Sequence, residues 1–421
     1  MATRKLGKPV LGIDKLSDET SMPQTDRGYA RAVRDLLNID LDSEGNTSRR
    51  QGYTRKLATS GFHSMYTSEE RGWLIVCNRE EMGVYDPDTN LFTALHTMAA
   101  ASMTSFTEVN GKLYGVNNTE NFMFREGSVD PRPLGVPLPS LTPSFSASST
   151  GGLRAGKYAV AYSLVDSAAE ESGLGETVVV DLPDGGGIQG TLFASMPGHK
   201  YRIYMTAANG EELYEVLEFD ATLGSVLIDH YKPGRKNLLH GLEPLPPGHI
   251  VRGYKARLFI ATTTCVAFSD AFRHHLHNPG HNFIPTTGFV GMIEPVDSGV
   301  FISDAKGVRF YRGSDPNDFQ VKNISSEPAI FGTAISVPAR YLPKKFEVTS
   351  AAAIWLSRSG YHVGLPTGEV VRLHADQIRL PKYVQGCSAL AIRDGRKQLV
   401  TPVHSVQDAA TGLAVDSIIN N

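Results

Sequence analysis

The sequence predicts an all-β chain: a β-propeller whose series of blades is interrupted by an inserted β-sandwich. Three observations predict it. Short strand-like runs separated by Gly, Asn and Asp turns recur from Leu57 to Val400. Two Pro-rich stretches, Pro131 to Thr150 and Glu243 to Gly248, bracket a segment whose strands are longer and more evenly spaced. A polar hairpin near the start, Leu37 to Tyr53, has an apolar strand face and no local sheet to cover it. A lone hairpin is at best marginally stable, so this one is expected to pair with the last hairpin of the chain and close the ring.

Composition agrees. A chain of 421 residues exceeds one ordinary domain, yet a propeller holds that length in one closed unit. The 41 Gly and 24 Pro suit many short strands joined by turns. A formal net charge of −3 excludes a molecule that grips nucleic acid over its whole surface, and leaves DNA passage without sequence-specific binding open. Cys77, Cys265 and Cys387 are far apart in apolar runs and read as buried free thiols rather than a disulfide framework. The opening MATRKLGKPVLGIDK has no apolar core of signal-peptide length, and no run approaches the roughly 18–20 apolar residues of a membrane span. Synthesis in the cytoplasm, with export only as part of an assembly, is the expectation.

In chain order, residues 1–36 read as an extended arm, with Pro9, Pro23, Gly7 and Gly12 and a helical turn or two over Tyr29 to Leu37. Residues 37–138 are the first part of the propeller. Leu37, Ile39 and Leu41 alternate with polar residues before the turn Asp42 to Asn46. Trp73 to Cys77, Val84-Tyr85 and Leu91 to Thr93 form a meander; Ser105 to Val109, Asn110-Gly111, Lys112 to Val116 and Phe122 to Phe124 repeat it. Asn-Gly between alternating apolar residues is the strongest short hairpin signal. Residues 139–246 are the insert, with strands over Lys157 to Val165, Glu176 to Asp181, Lys200 to Thr206 and Leu213 to Phe219. Residues 247–421 resume the propeller: Arg257 to Ala261 with Val266 to Ser269, Val300 to Ser303 with Val308 to Tyr311, Ile354 to Leu373, and the hairpin Ala389 to Val400. That makes about five blades and one more shared by the chain ends, within the range of 4–8 for propellers. No WD or kelch repeat recurs.

The pattern Gly12-Ile13-Asp14, Met22-Pro23, Arg34-Asp35, Asn38, Asp40 and Arg50-Gln51-Gly52-Tyr53 resembles the N-terminal segment of a family of tailed-bacteriophage virion structural proteins, of the tail hub or nozzle kind. AGKYAVAYSLVD, ESGLGE and YRIYMTAANGEELYEV resemble an immunoglobulin-like or fibronectin-like insert in the same family. YKARLFIA, VAFSD, PVDSGVFISDAKGVRFYRGSDPNDF and AIWLSRSGYHVGLPTGEVVRL extend the resemblance over most of the chain. It implies a structural role: a ring around the DNA exit path or at the tail tip, made with other virion tail proteins as a cyclic homo-oligomer, sixfold symmetry being one option. The location implied is the virion tail.

Candidate chemistry is sparse. His274, His275, His277 and His281 cluster in FRHHLHNPGH, but irregular spacing and Asn278-Pro279-Gly280 make an exposed loop the better reading than a metal site. Asp184-Gly185-Gly186-Gly187 lacks the Lys-Ser/Thr of a phosphate loop and reads as a turn. Ser303 to Gly307 partly matches the Asp-box turn of sialidases without its closing aromatic, and Asp86 to Asn90 lacks the terminal Glu of a calcium loop; both read as hairpin turns. Arg49-Arg50, Arg55-Lys56 and Lys344-Lys345 read as solvated basic pairs. The sequence therefore assigns no catalytic, cofactor-binding or metal residues and no enzyme activity. The rival reading is a carbohydrate-binding or carbohydrate-cleaving propeller acting in receptor recognition, whose carboxylates and aromatics would meet only through tertiary folding.

Overall fold

A computed structural model describes residues 14–18, 32–34, 39–41, 46–49, 61–138, 141–373, 379–393 and 396–405. The described chain is strand with only three short 3-10 turns. Five four-stranded antiparallel sheets follow one another, each with its strands hydrogen-bonded in chain order. The first blade is Phe62–Ser68, Trp73–Asn78, Glu81–Asp86 and Leu91–Thr97. The second is Ser105–Val109, Lys112–Val116, Asn121–Phe124 and Pro131–Pro133. The third is Ile250–Tyr254, Arg257–Ala261, Cys265–Phe268 and Phe283–Pro285. The fourth is Met292–Val296, Gly299–Asp304, Gly307–Arg312 and Gln320–Ser325. The fifth is Ile335–Val337, Ala352–Ser357, Gly360–Gly364 and Val370–Leu373.

The first strand of each blade touches the first strand of the next, so the five inner strands form the wall of a propeller hub. Because side chains alternate across a strand, each blade sends one set back and one set forward. Ile75 and Cys77 thus meet Phe106, Leu113 and Phe122 between the first and second blades. Tyr114 and Val116 meet Val251, Leu258 and Ile260 between the second and third. Phe259 and Phe268 meet Ile293 and Val300 next, then Phe301 and Phe310 meet Trp355. Burial on both faces explains why the central strands read as continuous apolar runs. At the hub, the Arg252 guanidinium links three inner strands: Nη1 donates to Ser105 Oγ at 3.2 Å and Nε to Glu294 Oε2 at 3.3 Å. That pairing is what permits Glu294 to sit only 2% exposed.

Beyond the fifth blade, Tyr383–Gly386 pairs with Val403–Ser405 and Ala389–Arg393 with Arg396–Val400. Val403, Leu390 and Leu399 pack against Ile354, Leu356 and Val363 of the fifth blade. Gln385 reaches back to Met103 beside the second blade, its Nε2 donating to Sδ at 3.5 Å. At the other end Ile39–Leu41 and Thr47–Arg49 form the expected hairpin, with Ile39 opposite Arg49. Among the described residues it is a two-stranded sheet by itself, and no ladder joins it to the C-terminal hairpin. The rest of the Leu37 to Tyr53 hairpin, on which the expected closure turns, lies outside the described residues. The remainder of the 1–36 arm, and the positions Arg50, Arg55, Lys56, Gly12 and Met22 with it, lie outside the described residues apart from 14–18 and 32–34. In those, Asp14 is buried and its Oδ1 accepts the N–H groups of Leu16 and Ser17 at 2.9 Å.

The insert holds two antiparallel sheets. Gly186–Thr191 lies between Ser144–Leu153 and Ser225–Ile228; Val178–Leu182, Gly156–Val165, Lys200–Met205 and Tyr214–Asp220 make the other sheet, in that order. Phe145, Ile188 and Ile228 of the first face Tyr158, Val160, Tyr201 and Ile203 of the second across one apolar core.

Both expected linkers are corrected. Pro131–Pro133 is the outer strand of the second blade, an edge position where the missing proline N–H costs nothing. Ser144–Leu153 is an outer strand of the insert: only Phe145 and Leu153 are buried, so its apolar signal is too thin to read. Near the return, Glu243–Pro244 pairs with Leu276–His277, and Leu245 is buried among Tyr114, Leu134 and Val251.

Candidate functional site

Three separate parts of the chain meet beside the second blade. Lys112 and Tyr114 follow the Asn110-Gly111 turn, whose φ values of 52° and 72° give the two left-handed residues of a type I′ hairpin. Two positions apart on one strand, they share a face. Glu170 comes from the insert, on the loop after Gly156–Val165. Asp166 shapes that loop: its Oδ1 accepts from the N–H groups of Ala168 at 2.8 Å and Glu170 at 2.9 Å. Phe272, His274 and His275 come from the third-blade loop between Cys265–Phe268 and Leu276–His277.

These side chains, with Met123 and Leu134 as apolar floor, line a cleft of about 170 Å³. Charge closes one side of it. Arg132 bridges Asp166 and Glu170 of the insert, Arg125 lies 3.8 Å from Asp166, and Lys112 lies 3.7 Å from Glu170. Two more contacts seat the insert: the Glu243–Pro244 ladder, and an apolar cluster of Tyr204, Leu239, Leu242 and Leu276.

The histidines are fixed rather than free. His274 Nε2 lies 3.1 Å from the Ala256 carbonyl, which can only accept, so Nε2 carries the proton. Nδ1 then accepts the Tyr114 hydroxyl at 2.7 Å. His277 Nδ1 donates to the Glu243 carbonyl at 3.2 Å. Burial pushes the pKa of His274, His275 and His277 below the usual histidine value, so all three stay neutral near pH 7. The exposed loop expected from the sequence is corrected accordingly: apolar neighbours on two blades bury His274 and His277, and only His281 stays exposed. Among the described residues no three His, Cys, Asp or Glu side chains stand together to hold a metal ion.

Elsewhere, Asp304 accepts from the N–H group of Lys306 at 2.9 Å inside a two-residue hairpin, and from that of Thr287, in the segment before the fourth blade, at 2.8 Å. Asp86 caps its own turn, accepting from Asp88 N–H at 2.9 Å. Gly186 and Gly187 lie in a strand, leaving Asp184-Gly185 as the turn. Cys77 is buried, and burial pushes its thiol up to about 12; Cys265 is half-buried and Cys387 exposed, so the third thiol departs from the expectation. Arg49 and Lys344 are solvated. Sequence reasoning missed Phe272, Glu170 and Arg132. The one signal available was Phe272 itself, a large apolar residue in an otherwise polar loop.

No family model matches the chain, and no curated protein matches it. Among solved structures the chain is similar to BBS1N crystallised in complex with ARL6DN, at 10% identity over 82% of this chain and 88% of that one, with a TM-score of 0.33. It is similar also to the Pan2 WD40 domain of Neurospora crassa, at 10% identity over 82% of this chain and 86% of that one, with a TM-score of 0.32. No helix among the described residues is long and apolar enough to cross a membrane.

Proposed function

We propose that this chain is a non-catalytic structural component of a bacteriophage tail, a hub, nozzle or tail-tip element that forms a cyclic homo-oligomer around the DNA exit path. The observation that carries the reading is the seating of the insert. Its root is tied to the second and third blades by an ion-pair network, a short ladder and an apolar cluster, three contacts of different chemistry in one region. A clamp of that kind makes two units move as one, which suits a part that bears load and presents fixed surfaces to neighbours. The inner strands of successive blades also pack against one another, as a rigid scaffold requires. The sequence resemblance to tail proteins supplies the setting.

Light scattering on the purified chain tests the assembly. A discrete oligomer several times the 45.7 kDa of one chain is expected, alone or on adding a tail extract. A strict monomer under both conditions argues against the ring.

A further inference from the structure

We propose that the cleft between the second blade, the insert and the third-blade loop is a binding site for a neutral sugar ring, a function beyond the structural role above. Phe272 is the first observation. It is 80% exposed and holds φ at 61°, the left-handed region that bulky L residues avoid. Its N–H donates to the Ala256 carbonyl at 2.8 Å, and Asp270 bridges Arg273, so the loop enforces that conformation. The strain secures no packing for the ring, because the ring stands in solvent. Strained backbone that displays a side chain rather than burying it is characteristic of ligand contacts.

The cleft beneath is the second observation, and its lining selects the ligand. Lys112 offers N–H donors and Glu170 offers acceptor oxygens 3.7 Å apart. The half-buried His275 imidazole adds a third polar group to the lining. An anion would meet the Glu170 carboxylate and a cation the Lys112 ammonium. A neutral molecule bearing adjacent hydroxyls, each both donor and acceptor, satisfies both. A flat aromatic at the rim stacks on the C–H face of a pyranose, and the apolar floor of Met123 and Leu134 excludes water beneath it. About 170 Å³ accommodates one ring rather than a chain, so a terminal or branch hexose is the unit read.

The test uses the full chain with the methyl glycosides of glucose, galactose, mannose and N-acetylglucosamine as probes, read by saturation-transfer NMR and calorimetry. At least one glycoside is expected to bind in the millimolar range. Phe272→Ala should weaken that binding about tenfold or more, and Phe272→Trp should retain it. Because Phe272 is exposed, the melting temperature of both variants should match or exceed the parent, which separates lost binding from lost fold. Failure of every glycoside to bind overturns the proposal, as does undiminished binding in Phe272→Ala. Inorganic phosphate or acetate occupying the cleft in place of any glycoside also overturns it, since the ligand would then be an anion.

Discussion

Arg132 holds two carboxylates of the insert loop at once, and Asp166 and Glu170 are only 12% and 15% exposed. Removing the guanidinium leaves both acids short of a counter-ion in a half-dry junction. Arg132→Ala should therefore cost about 2 kcal/mol, less than the loss of one partner from a fully buried pair because Arg125 and Lys112 remain. Urea denaturation measures the cost, and faster amide exchange confined to 166–171 would locate it; unchanged stability would mean that the network is solvated. Gly368 is a second sensitive position. Its φ is 86°, and an added Cβ would run into the Phe310 ring. Gly368→Ala should cost about 2–3 kcal/mol, from left-handed strain together with overpacking of the fourth and fifth blades. A melting temperature within a degree of the parent would contradict that packing.

Whole hairpins were the most legible part of the sequence, and their legibility has a physical cause. Asn110-Gly111, Asp304 to Gly307 and Ser357 to Gly360 each join two apolar runs, and turn chemistry fixes register locally. What stayed hidden is decided by partners far along the chain. Leu245 reads as part of a linker, yet it fills a gap between Tyr114 and Val251. The cleft residues gave no signal together because they stand on the second blade, an insert loop and a third-blade loop that only tertiary folding joins. The insert's edge strand Ser144–Leu153 shows two buried side chains in ten residues, too few to set a period. These contacts place the boundary of the insert. Removing 141–235 behind a long Gly/Ser linker should leave a cooperatively folding propeller. Extending the cut through Leu245 should cost a further ~2–3 kcal/mol, since Leu245 is buried among Tyr114, Leu134 and Val251. Equal stability of the two deletions would mean that the return segment contributes nothing to the blades.

Across the molecule, burial leaves a pH signature. His249, His274, His277 and His362 are each less than 10% exposed, and burial is the main cause holding each below the ordinary histidine pKa. The native state refuses protons that the unfolded chain accepts. Their contribution is present above the unfolded value of 6.5 and is lost as pH falls below it toward the folded values. Each fully discriminating histidine adds a slope of about 1.4 kcal/mol per pH unit. Glu294 works the other way: burial raises its pKa, so its contribution is present at low pH and is lost as pH rises through the folded value. Four groups outweigh one, and thermal stability should fall between pH 6.5 and 5. A flat or rising melting temperature over that interval would mean that these rings find proton partners in the native state.

The tail assignment stands or falls on where the chain sits in a particle. Cryo-electron microscopy of purified phage tails containing this chain is the measurement. The expected map shows a closed ring of identical propellers, each with its two-sheet insert seated against the second and third blades, around a bore wide enough for duplex DNA. Copies scattered singly on the particle surface, or a ring whose axis is blocked, would contradict it.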